Sequence, residues 1–297
     1  MAFDAGMLAA CVHEIENYAV PGKVEKVLEP TADEIVLLIH SNGGNVRLSI
    51  SASTNTPRIN ITEELKENPA VPPMFCMLLR KHLTGAKLTE IKQLSFERAA
   101  ELAFEAYDEL GFRCMKYLIA ETMGKYSNII LLGPDKKIIS ALRIIDFSAS
   151  LKRQILPGML YSLPPSGGRL DPTEVSEAEF ASLYAAADNT LSSERFLLSS
   201  FMGISPLIAR EIAFRACGNT AAVLADCSEK ALWAKFHEIF LTVATKCFRP
   251  VIITDRSGKM IEFSYTDITQ YGVDHPKVYP DTFGKLFETF YGTKERD

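Results

Sequence analysis

Side chains that could perform catalysis or bind a metal are few and widely spaced in this chain. Cys217, Cys227 and His237 come nearest to a ligand set, but cysteines ten residues apart match no zinc pattern. We therefore interpret them as structural thiols. The sequence also lacks a phosphate-binding P-loop, a GxSxG nucleophile turn and an HExxH helix. The residues thus offer no catalytic constellation, and we expect neither a metal nor a cofactor.

A possible phosphate-binding turn lies between two helical patterns within residues 197–212. Gly203 occupies the turn, and Pro206 suits the first position of the second helix. This order resembles a helix-hairpin-helix, in which N–H groups at a helix start bind phosphate without reading sequence. We assign Gly203, Ser205 and Arg210 to nucleic-acid backbone contact, although Ser205 stands where a second glycine is usual. A simple corner between two helices is the alternative.

Positive charge is concentrated in the stretch 111–153. Its eight basic and three acidic residues give a net charge of +5, whereas the whole chain carries −5. A basic surface favours nucleic-acid binding because phosphate contacts release counterions, and solvated strand ends are the alternative interpretation. We add Lys116, together with Arg80 and Lys81 from the end of a predicted helix, to the backbone contacts. The basic residues of the stretch are Arg113, Lys116, Lys125, Lys136, Lys137, Arg143, Lys152 and Arg153.

The overall composition is that of a globular protein. The chain has 297 residues, of which 47% are hydrophobic and 23% charged, and this excludes disordered, collagen-like and disulfide-scaffold classes. No apolar run approaches the roughly 20 residues of a membrane helix, and the N-terminus has no basic residue before its apolar stretch. The six cysteines form no CxxC pair, which suits a reducing compartment. We expect a cytoplasmic protein that does not bind membranes.

Alternating apolar residues predict a first half rich in antiparallel strands. The runs 34–40 and 45–50 flank Asn42-Gly43, the strongest short-range hairpin signal. Turn residues recur every eight to twelve positions, a rhythm typical of a sandwich or barrel. Helices are predicted at 3–18 and 73–83. Further strands are predicted at 23–28, 57–61, 87–93, 100–107, 115–121, 128–132 and 137–144.

A connector rich in proline and glycine, at 146–172, separates this half from a helical one. A hairpin is predicted at 250–263. The fold class is therefore α+β, with a β-rich domain at 1–172 and a mainly helical helix-hairpin-helix domain at 173–297. Its helices are predicted at 176–187, 191–201, 206–217, 221–226, 229–246 and 282–291.

Several segments closely resemble the NFACT family, whose bacterial members are also called fibronectin-binding protein A-like proteins. The most specific is Asn-Pro-Ala-Val-Pro-Pro-Met-Phe-Cys-Met-Leu-Leu-Arg-Lys-His-Leu at 68–83. The stretch Glu-Thr-Met-Gly-Lys-Tyr-Ser-Asn-Ile-Ile-Leu at 121–131 and Leu-Pro-Gly-Met-Leu-Tyr at 156–161 also match. So do the start, Ala2-Phe3-Asp4, and the ending, Phe290-Tyr291-Gly292.

The resemblance implies a ribosome quality control factor. Such a factor binds alanyl-tRNA and the obstructed large ribosomal subunit, and it directs alanine tailing of stalled nascent chains. The family contacts tRNA through an adjacent Asp-Arg pair, which aligns here with Glu97-Arg98; on residues alone this dipeptide is an ordinary solvated pair. Glu97 keeps the charge but adds a methylene. Together with Glu121, Met123 and Lys125, these residues form the tRNA-binding site that the resemblance predicts.

The resemblance also implies that the N-terminal domain is similar to that of formamidopyrimidine-DNA glycosylases. Those enzymes use an N-terminal proline followed by glutamate, whereas this chain has Ala2-Phe3, so glycosylase chemistry is not expected. The family's coiled coil, middle helices and C-terminal RNA-binding domain are not in the sequence, and we expect a piece of a longer protein. A surface adhesin that binds fibronectin is the alternative function, although no export signal supports it.

Overall fold

The computed structural model describes residues 3–150 and 152–292, which fall into two compact units. The first takes the described residues of Met1–Ala10, Ser95–Glu97 and Pro165–Asp297, and the second takes those of Cys11–Leu94 and Arg98–Pro164. The chain leaves the second unit for the last time between Pro164 and Pro165, which lies within the predicted connector. A domain boundary at 172 stays a prediction. Ala2 and the charged ending 293–297 lie outside the described residues.

In the described residues, the second unit contains one antiparallel sheet of nine strands, ordered β4-β3-β2-β1-β5-β6-β7-β8-β9. The α+β class with a large antiparallel sheet is thus confirmed. Helix α1 spans Ala5–Ala19 and helix α2 spans Met74–Leu83, close to the predicted bounds. The strands are β1 (Gly22–Thr31), β2 (Glu34–Ser41), β3 (Gly44–Ser51), β4 (Arg58–Ile61), β5 (Lys87–Gln93), β6 (Ala99–Tyr107), β7 (Arg113–Glu121), β8 (Asn128–Leu132) and β9 (Ile138–Ala141).

Local turn chemistry sets the register of the first hairpin. Ser41 pairs with Gly44, so Asn42 and Gly43 form the predicted two-residue loop between β2 and β3. Apolar side chains of this hairpin are buried; Ile35 and Leu37 of β2 and Leu48 of β3 have no exposed surface. Burial of these side chains supplies the main favourable free energy of the unit.

The described residues of the connector form neither helix nor strand, and those around Ile155 pack against the sheet. Ile155 pairs with Ile145 in an isolated bridge and is buried with Ile119 and Ile130 of strands β7 and β8. Leu160 forms a second bridge with Lys137. The described residues around Ile155 therefore belong to the core of the second unit.

The first unit is mainly helical. A cluster of aromatic rings forms its centre, with Phe180 stacked on Phe201 at 5.8 Å between ring centroids. The capping box predicted at Ser176 is present, with Glu179 as its partner. Its elements are α3 (Glu177–Ala186), α4 (Ser193–Ser200), α5 (Pro206–Cys217), α6 (Glu229–Ala244), β10 (Val251–Thr254), β11 (Met260–Ser264), β12 (Lys277–Val278) and α7 (Phe283–Gly292).

The helix predicted at 221–226 is wrong. Only a 3-10 turn at Leu224–Asp226 forms there. The backbone before it pairs with another segment instead, because Ser193 N donates to Ala222 O at 2.8 Å and Leu224 N donates to Leu191 O at 2.9 Å. These long-range bonds occupy backbone N–H and C=O groups that would pair within the segment if it were a helix.

The prediction of a helix-hairpin-helix domain is also corrected: the turn between α4 and α5 is a corner filled by the chain itself. The Ser205 hydroxyl is buried, donates to Asp4 Oδ2 at 2.6 Å and accepts a bond from Ile208 N. Gly203 O accepts a bond from Ala5 N at 3.1 Å. Because protein groups already occupy the start of α5, we leave Gly203 and Ser205 out of any phosphate site.

Gly203 gives a test of this corner. Its φ is +73°, and an added Cβ would lie 2.3 Å from Phe96 O. We expect Gly203→Ala to lower the free energy of unfolding by about 2–4 kcal/mol, from the positive φ and the overpacking together. Denaturant unfolding of the 297-residue chain measures this loss.

Gly218 is the matched control, because its φ is +71° and nothing lies within 4 Å of its added Cβ. Gly218→Ala should cost only the conformational part, about 1–2 kcal/mol. Equal losses in the two variants would contradict the close approach at Gly203.

Candidate nucleic-acid interface

The site residues that the family resemblance predicts in the second unit lie close together where strand β6 begins and strand β7 ends. We call this place, formed by strand ends, the sheet edge. Ala99 of β6 pairs with Glu121 of β7, so Arg98 and Thr122 are neighbours just beyond the strand ends. Thr122 N and Oγ1 both donate to Arg98 O, at 2.9 and 3.1 Å. The structure therefore brings Arg98 beside the segment that begins at Glu121. Glu97 and Arg98 lie in the turn between β5 and β6 and are both half-buried.

Glu121 has no surface to offer to a ligand. It is 1% exposed, and its carboxylate accepts bonds from Arg153 Nη1 and Nη2 at 3.0 and 2.5 Å. The Tyr161 hydroxyl donates to the same carboxylate at 2.8 Å. Burial, followed by the Glu121 charge, raises the pKa of Tyr161 far above its ordinary 10.0, so this hydroxyl remains a donor. In this arrangement the Glu121 carboxylate holds the side chains of Arg153 and Tyr161 in position.

Arg153 joins two of the segments that carried the family resemblance. Its guanidinium binds Glu121 at the end of β7, and its Nε and Nη2 donate to Ser162 O at 3.1 and 2.7 Å. The 156–161 segment is thereby held at the same edge as the 121–131 segment. Nothing in the linear sequence indicated that these two segments meet.

A short 3-10 turn, Gly124–Tyr126, presents the next predicted residue. Lys125 is exposed, and its Nζ lies 4.9 Å from the centroid of the Tyr126 ring. Met123 is half-buried and accepts a backbone bond from Tyr126 at 3.2 Å. Residue types alone did not single out Tyr126, whose side chain is 65% exposed.

The surface of the stretch 111–153 is less basic than its net charge of +5 indicated. Five of its eight cations are ion-paired in the described residues, and three of their partners come from outside the stretch. The pairs are Arg113–Glu105, Lys136–Glu101, Lys137–Asp135, Arg143–Asp33 and Arg153–Glu121. Lys116, Lys125 and Lys152 are the cations of the stretch outside this set of pairs.

Arg80, Lys81 and Lys116 lie away from this edge. Lys116 is five residues before Glu121 along β7, about 17 Å at strand spacing. Arg80 Nε donates to Val27 O at 2.8 Å, and Lys81 pairs with Glu109 at 2.6 Å. Burial first, then the charges of Lys116 and Lys81, lowers the pKa of His82. These cations form a second, separate basic group.

The remaining predicted residues belong to the helical unit. Arg210 pairs with Glu194 at 3.2 Å. The Cys217 and Cys227 sulfurs lie 2.6 Å apart, while the His237 ring packs against Trp233 with centroids 5.2 Å apart. In the described part of the chain, no group of three His, Cys, Asp or Glu side chains could hold a metal ion. Nor does any described helix have the length and apolar character needed to cross a membrane.

Comparisons with known proteins agree on one family. Residues 4–297 match the model of NFACT N-terminal and middle domains. The Rqc2 homolog RqcH of Bacillus subtilis strain 168 is 32% identical over 300 residues, covering 100% of this chain and 50% of that protein. The chain thus spans about half the length of this relative.

Two solved structures have the same fold. The N-terminal part of the fibronectin/fibrinogen-binding protein from Streptococcus suis is 29% identical with a TM-score of 0.80. The fibrinogen binding protein from Staphylococcus aureus is 27% identical with a TM-score of 0.82. In both cases the alignment covers 98% of this chain and 99% of the other.

Proposed function

Since this chain belongs to the NFACT family, we propose that it is the tRNA-binding part of a ribosome quality control factor. Its partners would be alanyl-tRNA and the obstructed large ribosomal subunit. The longer protein would support alanine tailing of stalled nascent chains, with peptide transfer in the ribosome's own centre. The chain itself would be cytoplasmic and contribute no catalytic residue or cofactor. The predicted likeness to glycosylases stays a prediction and takes no part in the proposal.

One observation carries the proposal: the Arg98 backbone is hydrogen-bonded to Thr122, three residues before the exposed Lys125 and four before the exposed ring of Tyr126. Thr122 ties the Arg98 backbone to the segment that presents Lys125 and Tyr126. Arg side chains bind phosphates or base edges, while Lys contacts the backbone as a point charge. Lys125 contributes a contact at the RNA surface, and Met123 and the buried Glu121 hold the segment in place. Glu97, which precedes Arg98 in the sequence, completes the proposed tRNA-binding set.

Arg98→Ala tests this site. We expect binding of a tRNA-Ala transcript to weaken by about tenfold, and the slope of log K against log salt to fall by about 0.7–0.9, because one phosphate contact is lost. Filter binding or anisotropy between low and high salt gives both values.

Arg113→Ala is the matched control, because Arg113 lies at the other end of β7 in an exposed ion pair with Glu105. Its loss should leave tRNA affinity within about twofold, since Arg113 lies eight residues before Glu121, about 27 Å at strand spacing. Equal tRNA affinity and salt slope in wild type and Arg98→Ala would overturn the assignment of Arg98.

The names of the two similar structures support a second candidate, a protein that binds fibronectin or fibrinogen. The test is surface plasmon resonance of the 297-residue chain on immobilised fibronectin and fibrinogen. Saturable binding that persists at high salt, together with surface location of the native protein, would favour an adhesin. Binding only to tRNA would exclude it for this part of the protein.

A further inference from the structure

Tyr126 presents an aromatic ring to solvent at a fixed place on the sheet edge. The side chain is 65% exposed and stands in the 3-10 turn Gly124–Tyr126, directly before strand β8. Large aromatic side chains bury the most apolar surface when packed, so an exposed ring gives up that stabilisation. A ring left out of the core on a rigid support is suited to contact with a planar ligand.

The backbone under Tyr126 is held by several bonds within the second unit. Tyr126 N donates to Met123 O, and Ser127 N donates to Gly124 O at 3.0 Å. Arg143 Nη1 then donates to Ser127 O at 2.6 Å and also to Ala52 O at 2.8 Å. Because these bonds fix the turn before any ligand arrives, a ligand stacking on the ring orders little additional backbone.

The charge beside the ring indicates what kind of planar ligand fits. Lys125 Nζ lies 4.9 Å from the ring centroid, within the range of a cation–π contact. An ammonium beside an exposed ring offers one contact to a flat apolar group and one to an anion. A nucleotide with an unpaired base combines these two features, whereas the faces of bases in a duplex are already stacked on their neighbours and are closed to an aromatic ring.

We propose that Tyr126 is a stacking platform for one unpaired base of tRNA, with Lys125 at the phosphate of the same nucleotide. The inference rests on the proposed tRNA-binding function and adds to it the type of RNA structure recognised at this edge. Unpaired bases in tRNA lie in its loops and at its 3′ end. Arg98, held beside this segment through Thr122, would contact the adjoining backbone.

Substitutions at Tyr126 separate stacking from charge. We expect Tyr126→Ala to weaken binding of a tRNA-Ala transcript by roughly 5- to 100-fold while leaving the salt slope unchanged, because stacking involves no counterion. Tyr126→Phe keeps the ring and should bind within about twofold of wild type. Lys125→Ala should instead lower the salt slope by about 0.7–0.9.

Tyr107 is the matched control for exposure. It is 72% exposed and ends strand β6, while Arg98 precedes the first residue of the same strand, about 30 Å away at strand spacing. Tyr107→Ala should bind the transcript like wild type. The same binding measurement is made with a 20-nucleotide single-stranded RNA and with its duplex. Tyr126→Ala should weaken binding of the single strand and leave binding of the duplex unchanged.

The outcomes distinguish this inference from the function on which it rests. Wild-type binding with no change in Tyr126→Ala would overturn the stacking platform and leave tRNA binding intact. Equal losses in Tyr126→Phe and Tyr126→Ala would assign the effect to the hydroxyl and also overturn it. No binding of the transcript by wild type would overturn the proposed function and the platform together.

Discussion

Glu211→Ala should lower the free energy of unfolding of the helical unit by about 3–5 kcal/mol, because it removes a fully buried carboxylate that accepts bonds from several partly buried donors. Glu211, on helix α5, has no exposed surface. Its carboxylate accepts bonds from Thr269 N at 2.8 Å, Gln270 N at 3.0 Å and Arg215 Nε at 2.7 Å. The Thr269 hydroxyl adds a further bond at 2.7 Å. This single side chain therefore fixes the backbone after β11 to α5.

Glu238→Ala provides the control for Glu211. Glu238 accepts a bond from the same Arg215 at 3.0 Å, but its side chain is 49% exposed. An exposed ion pair contributes at most about 1 kcal/mol, so this variant should unfold close to wild type. Urea unfolding followed by circular dichroism compares the two. Similar losses in both variants would show that the Glu211 network does not hold the segment.

Arg153→Met should have the second large effect, a loss of about 3–5 kcal/mol in the sheet unit. Met keeps much of the length of the side chain but leaves the buried Glu121 carboxylate with the Tyr161 hydroxyl as its one remaining side-chain donor among the described residues. A buried carboxylate without its cation is far costlier than a surface one. The 156–160 segment should also detach more often, so limited proteolysis near Leu160, which is 66% exposed, should be faster.

Two further variants complete this test. Adding Glu121→Gln to Arg153→Met should recover part of the loss, because the uncompensated charge is gone. Lys137→Met breaks an exposed pair with Asp135 at 3.3 Å and should cost less than about 1 kcal/mol. Strict additivity of Glu121→Gln and Arg153→Met in denaturant unfolding would contradict a direct coupling between these two side chains.

Short-range chemistry explains which elements could be predicted from the sequence. The Asn42-Gly43 hairpin, the capping box at Ser176 and Pro206 at the start of α5 are each decided by a few adjacent residues. Strand β8 was predicted with its observed bounds because its apolar run is closed by Ser127 before it and Gly133 after it. Such signals do not depend on where the rest of the chain lies.

Pairings over long separations explain what could not be predicted. The segment 221–226 fits a helical pattern, but three of its backbone bonds join residues 189–193. Arg143 adds to the basic count of its own stretch, while its carboxylate partner, Asp33, is 110 residues away. The same holds at the candidate site, where Glu121 has its side-chain partners 32 and 40 residues later. Local charge and propensity contain no information on these partners.

The bond between Asp4 and Ser205 has a consequence for synthesis of the protein. The two residues are 201 positions apart. At about 5–20 residues per second, Asp4 waits roughly 10–40 seconds after its own translation before Ser205 is made. During that interval Phe3 and Asp4, both buried in the finished fold, cannot take their final places. The helical unit therefore completes its folding only after the intervening sheet unit has been synthesised, although its residues 3–10 precede that unit in the chain.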